Sequence, residues 1–145
     1  MLSSNIFHCS WTSDSSKLIT VSRDGVCKVW KVCESADGSC VDLEAVHSFT
    51  PFGSVSVTAL DVIDYQDGSW LVAFGAESGD LVVERLSPEG TSNTLVCKVD
   101  AKFSHGATVK RIRWRRNQAS EKCTSFQFAS CGEDNTVRIH DLVEL

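Results

Sequence analysis

A hairpin signal near the end of the chain recurs at two earlier positions, and this repetition constrains the fold more than any other feature. In the last copy, residues 126–130 lead into the polar turn Cys131-Gly132-Glu133-Asp134-Asn135, and Val137 and Ile139 then alternate with polar residues. Alternation on both sides of an Asp/Asn/Gly turn predicts a β-hairpin. The matching turns contain Asp24 and Ser78, at intervals of about 55 residues, somewhat longer than the roughly 40–45 residues of a compact four-strand unit.

Each hairpin lies within a set of strand-like segments separated by turns. The first set is 6–11, 18–22, 26–30 and 43–49, the second is 56–62, 70–75, 81–86 and 94–101, and the third is 109–114, 126–130 and the strand after the last turn. No segment of more than a few residues has a convincing helical period. We therefore predict an all-β chain of three units, 1–49, 50–101 (a degenerate copy) and 102–145. The loops at 33–42 and 115–124 accommodate the extra length.

Composition and charge argue against several classes of protein, including secreted and membrane-spanning proteins. The chain of 145 residues is 42% hydrophobic and 23% charged, which is typical of a soluble globular protein. A net charge of −5 argues against nucleic-acid binding by the whole surface, although not by a local basic patch. The first nine residues lack the features of a signal peptide, and no run approaches the roughly eighteen apolar residues of a membrane span. We therefore expect an intracellular protein.

The cysteines and histidines predict neither a disulfide framework nor a metal site. The cysteines are odd in number and form no Cys-x-x-Cys pair, unlike a secreted disulfide scaffold. The four histidines form no cluster with them at ligand spacing. Several cysteines lie in strand-like runs, where we expect them to behave as small buried hydrophobes, and we expect no metal and no cofactor. The seven cysteines are Cys9, Cys27, Cys33, Cys40, Cys97, Cys123 and Cys131.

The repeated four-strand unit, with an Asp in the hairpin between its second and third strands, resembles the WD-repeat β-propeller family. In that family a His before the first strand, a Ser or Thr on the second strand, the turn Asp and a Trp on the third strand form a buried hydrogen-bonded network. The third repeat has His105, Ser130 and Asp134 at three of these positions, and His140 replaces the Trp. The resemblance implies a partial propeller of about three blades.

The other two repeats keep less of this network. The first repeat has Thr20, Asp24 and Trp30 at matching positions. The second departs most, with Gly53, Ser78 and Glu84 at network positions, so we expect that blade to depend more on apolar packing and to be the least rigid.

Ser130, His105 and Asp134 are also the residue types of a hydrolase triad. A serine within a buried strand, the lack of a Gly-x-Ser-x-Gly elbow and the lack of an evident oxyanion loop argue against catalysis. A carboxylate in a partly buried turn must instead be paired or hydrogen-bonded. We therefore expect these residues to fix the hairpin and the chain not to be an enzyme.

The tail carries a more specific resemblance. Residues 126–140, ending in His140, are similar to the C-terminal end of the second-subunit family of the Elongator complex, as are 22–30 and 72–79. The resemblance implies a non-catalytic scaffold of two joined propellers, with other Elongator subunits as protein partners, in the cytoplasm and nucleus. It also implies support of wobble-uridine modification in transfer RNA. A WD-repeat adaptor of another complex would share every repeat feature and remains the alternative.

Three blades do not make a closed ring, since propellers typically have 4–8. Only Val143-Glu144-Leu145 follow Leu142, so the third unit lacks its own outer strand. We therefore expect open radial faces with exposed apolar surface, and a fragment or a truncated gene product.

A basic run points to a second kind of contact. Residues 110–116 contain Lys110, Arg111, Arg113, Arg115 and Arg116. On a strand, Ile112 and Trp114 face one side while three arginines face the other, an arrangement that suits phosphate groups or an acidic partner. The alternative is a solvated face, or one paired with acidic residues of a neighbouring blade.

Overall fold

The computed structural model describes residues 4–116 and 125–142. Cys123, most of the predicted 115–124 loop and residues 143–145 therefore lie outside the described chain. The described residues form three antiparallel sheets in which consecutive strands are neighbours. The first sheet contains β1 (Ile6–Trp11), β2 (Lys17–Ser22), β3 (Cys27–Glu34) and β4 (Val41–Phe49).

The second sheet contains β5 (Val57–Asp64), β6 (Trp70–Ala76), β7 (Leu81–Leu86) and β8 (Asn93–Lys98). The third contains β9 (Val109–Trp114), β10 (Phe126–Gly132) and β11 (Val137–Leu142). Two single turns of 3-10 helix, Gln66–Gly68 and Ala101–Phe103, interrupt the β structure. The all-β prediction is confirmed.

The strand predicted to reach residue 101 ends earlier, and a local cap explains the difference. Asp100 accepts a hydrogen bond from the backbone N–H of Lys102 at 3.1 Å, which closes the 3-10 turn after β8. Asp side chains compete in this way with strand pairing.

The three hairpins are structurally equivalent. In each, the last residue of the second strand hydrogen-bonds across the turn, from Ser22 to Val26, from Ala76 to Asp80 and from Gly132 to Thr136. Gly25, Gly79 and Asn135 occupy the same position with φ of +83°, +91° and +64°. Glycine and asparagine are the residues that adopt this left-handed conformation most readily.

The sheets stack face to face around the middle one. Val21 and Val29 pack with Leu60 and Phe74 between the first and second sheets. A second core, between the second and third sheets, includes Leu71, Val83, Ile112, Trp114 and Phe128. All seven residues of β6 are consequently buried. The innermost strands lie side by side, β1 next to β5 and β5 next to β9.

The outward faces of the first and third sheets carry exposed apolar side chains. Trp11 is 51% exposed and Ile139 is 64% exposed. The three sheets of the described chain do not close into a ring. Within residues 4–116 and 125–142, no helix has the length and apolar character of a membrane-spanning segment.

Candidate interaction site: a buried polar network and a basic strand

The structure brings the four network residues of the third repeat into one chain of hydrogen bonds. Nδ1 of His105 lies 3.0 Å from Oδ1 of Asp134, and Nε2 lies 2.7 Å from Oγ of Ser130. The same hydroxyl is 3.1 Å from Nε2 of His140. The network therefore links the segment before β9 to β10, β11 and the hairpin between them.

Asp134 is held by more than His105. It accepts hydrogen bonds from the backbone N–H of Gly106 at 3.0 Å and from the hydroxyl of Thr136 at 2.7 Å. Burial alone would raise the pKa of Asp134, but the hydrogen bonds from His105, Thr136 and Gly106 outweigh it and hold that pKa well below its usual value. The carboxylate is thus stabilised in its charged form.

The directions of these bonds follow from the donors available. Because Asp134 only accepts, Nδ1 of His105 carries the hydrogen that it donates. In neutral His105, Nε2 then accepts the hydrogen bond from the Ser130 hydroxyl. That hydroxyl oxygen remains free to accept from Nε2–H of His140. One consistent set of tautomers therefore satisfies the whole network.

His140 packs as well as hydrogen-bonds. Its ring stacks on Phe128 with centroids 4.7 Å apart. Burial lowers the pKa of His140, and the nearby His105 and Arg138 lower it further. The neutral ring is therefore favoured in the folded chain.

The order Asp134–His105–Ser130 resembles a hydrolase triad, but its surroundings differ from those of an active site. Ser130 lies within β10 and is only 1% exposed. Its hydroxyl is engaged by two histidines. Among the described residues, this hydroxyl is therefore shielded from solvent and already hydrogen-bonded.

The first repeat has two of its three network residues in contact. The indole Nε1–H of Trp30 donates to Oγ1 of Thr20 at 2.9 Å. Asp24 instead accepts from Ser22 and from the backbone N–H of Val26 within its own turn. The hydrogen bond from Ser22 contributes most to lowering the pKa of Asp24, and the bond from Val26 adds to it.

A polar chain that sequence reasoning missed joins the second repeat to β4 of the first sheet. Glu84, 6% exposed, accepts from Nδ2 of Asn93 at 3.0 Å, and Oδ1 of Asn93 lies 2.7 Å from Nε2 of His47. Oε2 of Glu84 has no hydrogen-bond partner among the described residues. Burial raises the pKa of Glu84, and the bond from Asn93 and the proximity of His47 oppose this only in part. Among the described residues, the hydroxyl of Ser78 bonds within its own turn, to Asp80 at 2.8 Å. The sequence signal for this chain was Glu84 itself, a carboxylate at the position that Trp30 and His140 occupy in the other two repeats.

A second missed contact joins the middle and third sheets. Asp61, 3% exposed, accepts from the backbone N–H of Trp114 at 2.7 Å, and its carbonyl oxygen accepts from the indole N–H at 3.0 Å. Arg116 lies 3.2 Å from its carboxylate. An Asp inside an apolar strand was the signal that pointed to such a pairing.

The basic run divides into paired and unpaired cations. Lys110 forms an ion pair with Glu133 at 2.8 Å, Arg116 pairs with Asp61, and Arg115 donates to Gln127 at 2.7 Å. The remaining two arginines, Arg111 and Arg113, donate only to neighbouring carbonyl oxygens. Within the described chain they have no acidic partner within 4.0 Å.

These two arginines lie close to the first sheet. Burial lowers the pKa of His8 on β1, and the positive charges of Arg113 and Arg111 contribute to that lowering. The inner strands thus bring unpaired positive charge next to β1. In the described ranges, no group of three or more His, Cys, Asp or Glu side chains is arranged to hold a metal ion.

Comparison with known proteins supports the resemblance drawn from the motifs. The family model for the WD domain, G-beta repeat, matches residues 2–31 and 96–141, more than half of the chain. The unmatched stretch between these ranges, 32–95, contains most of the degenerate second repeat.

Relatives of known name match nearly the whole chain. It is 33% identical to Elongator complex protein 2 of Arabidopsis thaliana, covering 92% of this chain and 16% of the relative. It is 30% identical to Elongator complex protein 2 of Homo sapiens, covering 93% and 18%. The chain therefore spans less than a fifth of the length of these relatives.

Solved structures show the same fold. The chain superposes on the β-propeller domain of Cps50 (Swd1) from Myceliophteria thermophila with a TM-score of 0.69 and 16% identity, over 99% of this chain and 42% of that one. For Saccharomyces cerevisiae Sqt1 the TM-score is 0.65 at 17% identity, over 92% and 32%.

Proposed function

The chain belongs to the WD40-repeat family, and on that premise we propose that it forms part of a non-catalytic scaffold of an Elongator-type complex. The supporting observation is the similarity to Elongator complex protein 2, at 33% identity over 92% of the chain. Such a scaffold would support wobble-uridine modification of transfer RNA by assembling other subunits, in the cytoplasm and nucleus.

The geometry supports a structural role for the residues that could perform chemistry. His105 hydrogen-bonds to both Asp134 and Ser130, and Glu84 and Asp61 are buried. A rigid repeat scaffold presents its loops and edges to partners, and its interior polar groups hold those loops in place.

Co-purification tests the proposal. The tagged chain is expressed in cells that contain the Elongator complex, and captured proteins are identified by mass spectrometry. The control is a tagged WD40-repeat segment of similar length with no similarity to Elongator complex protein 2. We expect Elongator subunits to be enriched over the control. Recovery equal to the control, or of a different complex, would contradict the assignment.

Direct contact with RNA is a second candidate, favoured by the unpaired Arg111 and Arg113. The test measures transfer-RNA binding at several salt concentrations for Arg111→Glu with Arg113→Glu. Lys31→Glu with Lys98→Glu is a control of equal charge change on exposed strand positions. If two phosphates are contacted, the slope of log affinity against log salt falls by about 1–2 in the arginine variant. An unchanged slope would exclude this contact.

A further inference from the structure

The turn that joins β7 to β8 packs against the first sheet. It is closed by a hydrogen bond from the backbone N–H of Ser87 to the carbonyl oxygen of Ser92 at 3.0 Å. A Cβ placed on Gly90, within the turn, would lie 3.1 Å from Cγ1 of Val29 and 3.4 Å from Cε of Lys17. The turn therefore touches β2 and β3, and the contact joins two sheets that each contain four strands.

Two lysines of the first sheet share the face that meets this turn. Lys17 and Lys31 lie directly opposite each other in the pairing of β2 with β3. They are two positions from the core residues Ile19 and Val29, and alternate residues of a strand project to the same face. Like charges in directly opposite positions repel each other. Within residues 4–116 and 125–142, neither ammonium group forms an ion pair.

The nearby carboxylates do not pair with these lysines. Asp14, on the loop before β2, accepts hydrogen bonds from the hydroxyls of Thr12 and Ser16 at 2.7 and 2.8 Å. Glu89, at the tip of the turn, is exposed and forms no ion pair with any described residue. Both lysines therefore meet the second sheet without a bonded acidic group.

Ser87 places a hydroxyl at the same contact. It directly precedes Pro88, which is exposed, and a residue before proline is held in an extended conformation. The Ser87 Oγ accepts hydrogen bonds from the backbone N–H groups of Thr91 and Ser92, at 3.2 Å in each case. Successive backbone N–H groups that converge on one point form a concavity that favours anions. These donors suit the oxygens of a phosphate group.

We propose that Ser87 is a phosphorylation site for a proline-directed serine kinase, and that Lys17 and Lys31 bind its phosphate and so fasten the second sheet to the first. The transfer forms a bond between Ser87 Oγ and the γ-phosphorus of ATP, breaks the bond from that phosphorus to ADP, and passes the hydroxyl proton to a base of the kinase. This regulation goes beyond the scaffold function proposed above and does not depend on it.

A phosphate on Ser87 lies within reach of the lysines. The backbone N–H of Gly90 donates to the carbonyl oxygen of Ser87 at 2.8 Å, and the ends of such a four-residue turn are less than about 7 Å apart. The side chain of Lys17 lies against Gly90, so its ammonium can reach the phosphate. Phosphoserine carries a charge of about −1.5 to −2 at neutral pH. That charge relieves the repulsion between the lysines and accepts charge-assisted hydrogen bonds from them.

A kinase assay on the folded chain tests the first part of the proposal. Every protein carries Thr50→Ala, because the chain has two prolines and Thr50 precedes the other one. The chain is incubated with a proline-directed kinase and ATP, and mass spectrometry locates the phosphate. We expect phosphate on Ser87, and its loss in Ser87→Ala. Pro88→Ala, which keeps the hydroxyl, should be a much poorer substrate.

Melting temperatures test the second part. Phosphorylation should raise the melting temperature by about 3 °C. Lys17→Gln with Lys31→Gln should abolish this rise. The matched control is Lys98→Gln with Lys102→Gln, which removes two exposed lysines beyond the other end of β8 and should preserve the rise. Each phosphorylated variant is compared with its own unmodified form, so effects of the substitutions themselves cancel.

An unmodified Ser87 in the folded chain would overturn the proposal, as would equal phosphorylation of Pro88→Ala. A phosphorylated chain whose melting temperature does not rise, or rises equally in the two lysine variants, would also overturn it. None of these results depends on co-purification with Elongator subunits, so failure here and failure of the proposed function are distinguishable.

Discussion

Nδ1 of His105 lies 3.0 Å from the carboxylate of Asp134, and this contact ties the segment before β9 to the hairpin between β10 and β11. His105 also packs against the preceding sheet, where its backbone N–H donates to the carbonyl oxygen of Gly79 at 3.0 Å. One histidine thus connects two consecutive repeats. The network of the third repeat therefore also links the second sheet to the third.

Replacing His140 by Trp should reduce the pH dependence of stability. The pKa of His140 is lowered in the folded chain, so protonation favours the unfolded chain, and stability is lost as pH falls below the ordinary value near 6.5. A Trp indole could donate to Ser130 as Trp30 donates to Thr20. The unfolding free energy of His140→Trp, measured in urea at pH 7.5 and 5.5, should change less than that of the wild type. His8 titrates in the same direction, so the dependence shrinks without vanishing. An identical pH dependence would contradict this account.

Glu84→Gln should stabilise the chain at neutral pH. Burial raises the pKa of Glu84, so the favourable protonated form is present at low pH and its contribution is lost as pH rises through the folded pKa. Gln keeps the acceptor for Asn93 and carries no charge into the core. We expect a gain of about 1 kcal/mol at pH 7 and a smaller gain at pH 4, measured by urea denaturation. Glu44→Gln, on the exposed part of β4, is the control and should have little effect. Destabilisation by Glu84→Gln at pH 7 would show that its carboxylate is needed as a charge.

Asp61→Ala should loosen the contact between the second and third sheets. It removes the acceptor of the buried Trp114 N–H, which should cost about 1–3 kcal/mol of unfolding free energy, whereas Arg116 is 59% exposed and stays solvated without its partner. Glu133→Ala breaks the exposed pair with Lys110 and should change stability little. Equal effects of the two substitutions would mean that Asp61 does not join the sheets.

Gly79→Ala should be much more destabilising than Gly38→Ala. Both glycines have positive φ, +91° and +69°, so both substitutions introduce backbone strain. A Cβ at Gly79 would also lie 2.1 Å from the carbonyl oxygen of His105, whereas one at Gly38 meets nothing within 4 Å. The melting temperature of Gly38→Ala reports the effect of backbone strain alone, and that of Gly79→Ala reports strain together with the clash. Similar melting temperatures would show that the second and third sheets do not pack closely at this point.

Local patterns in the sequence predicted the strands and the equivalence of the hairpins. Alternation of apolar residues and the turn residues at 24, 78 and 134 depend on neighbours along the chain, and the all-β fold followed from them. Contacts between sheets could not be predicted in this way. The partner of Asp61 is 53 residues distant, and the chain from Glu84 through Asn93 to His47 depends on how two sheets stack.

For the basic run at 110–116, too, the sequence predicted which side chains share a face of the strand but not which residues they contact. Alternation correctly separated Ile112 and Trp114 from the arginines. Which of the cations meet an acidic partner depends on where Asp61 and Glu133 lie in space.

The melting temperature of Asp134→Ala, compared with Asp24→Ala, tests most directly the claim that the third-repeat network holds the fold together. Both residues occupy the same turn position, but Asp134 bonds to His105, Gly106 and Thr136. Among the described residues, the Asp24 carboxylate accepts hydrogen bonds from its own turn alone. We predict a melting temperature several degrees lower for Asp134→Ala and a much smaller decrease for Asp24→Ala. An unchanged melting temperature for Asp134→Ala would contradict the structural role of the network.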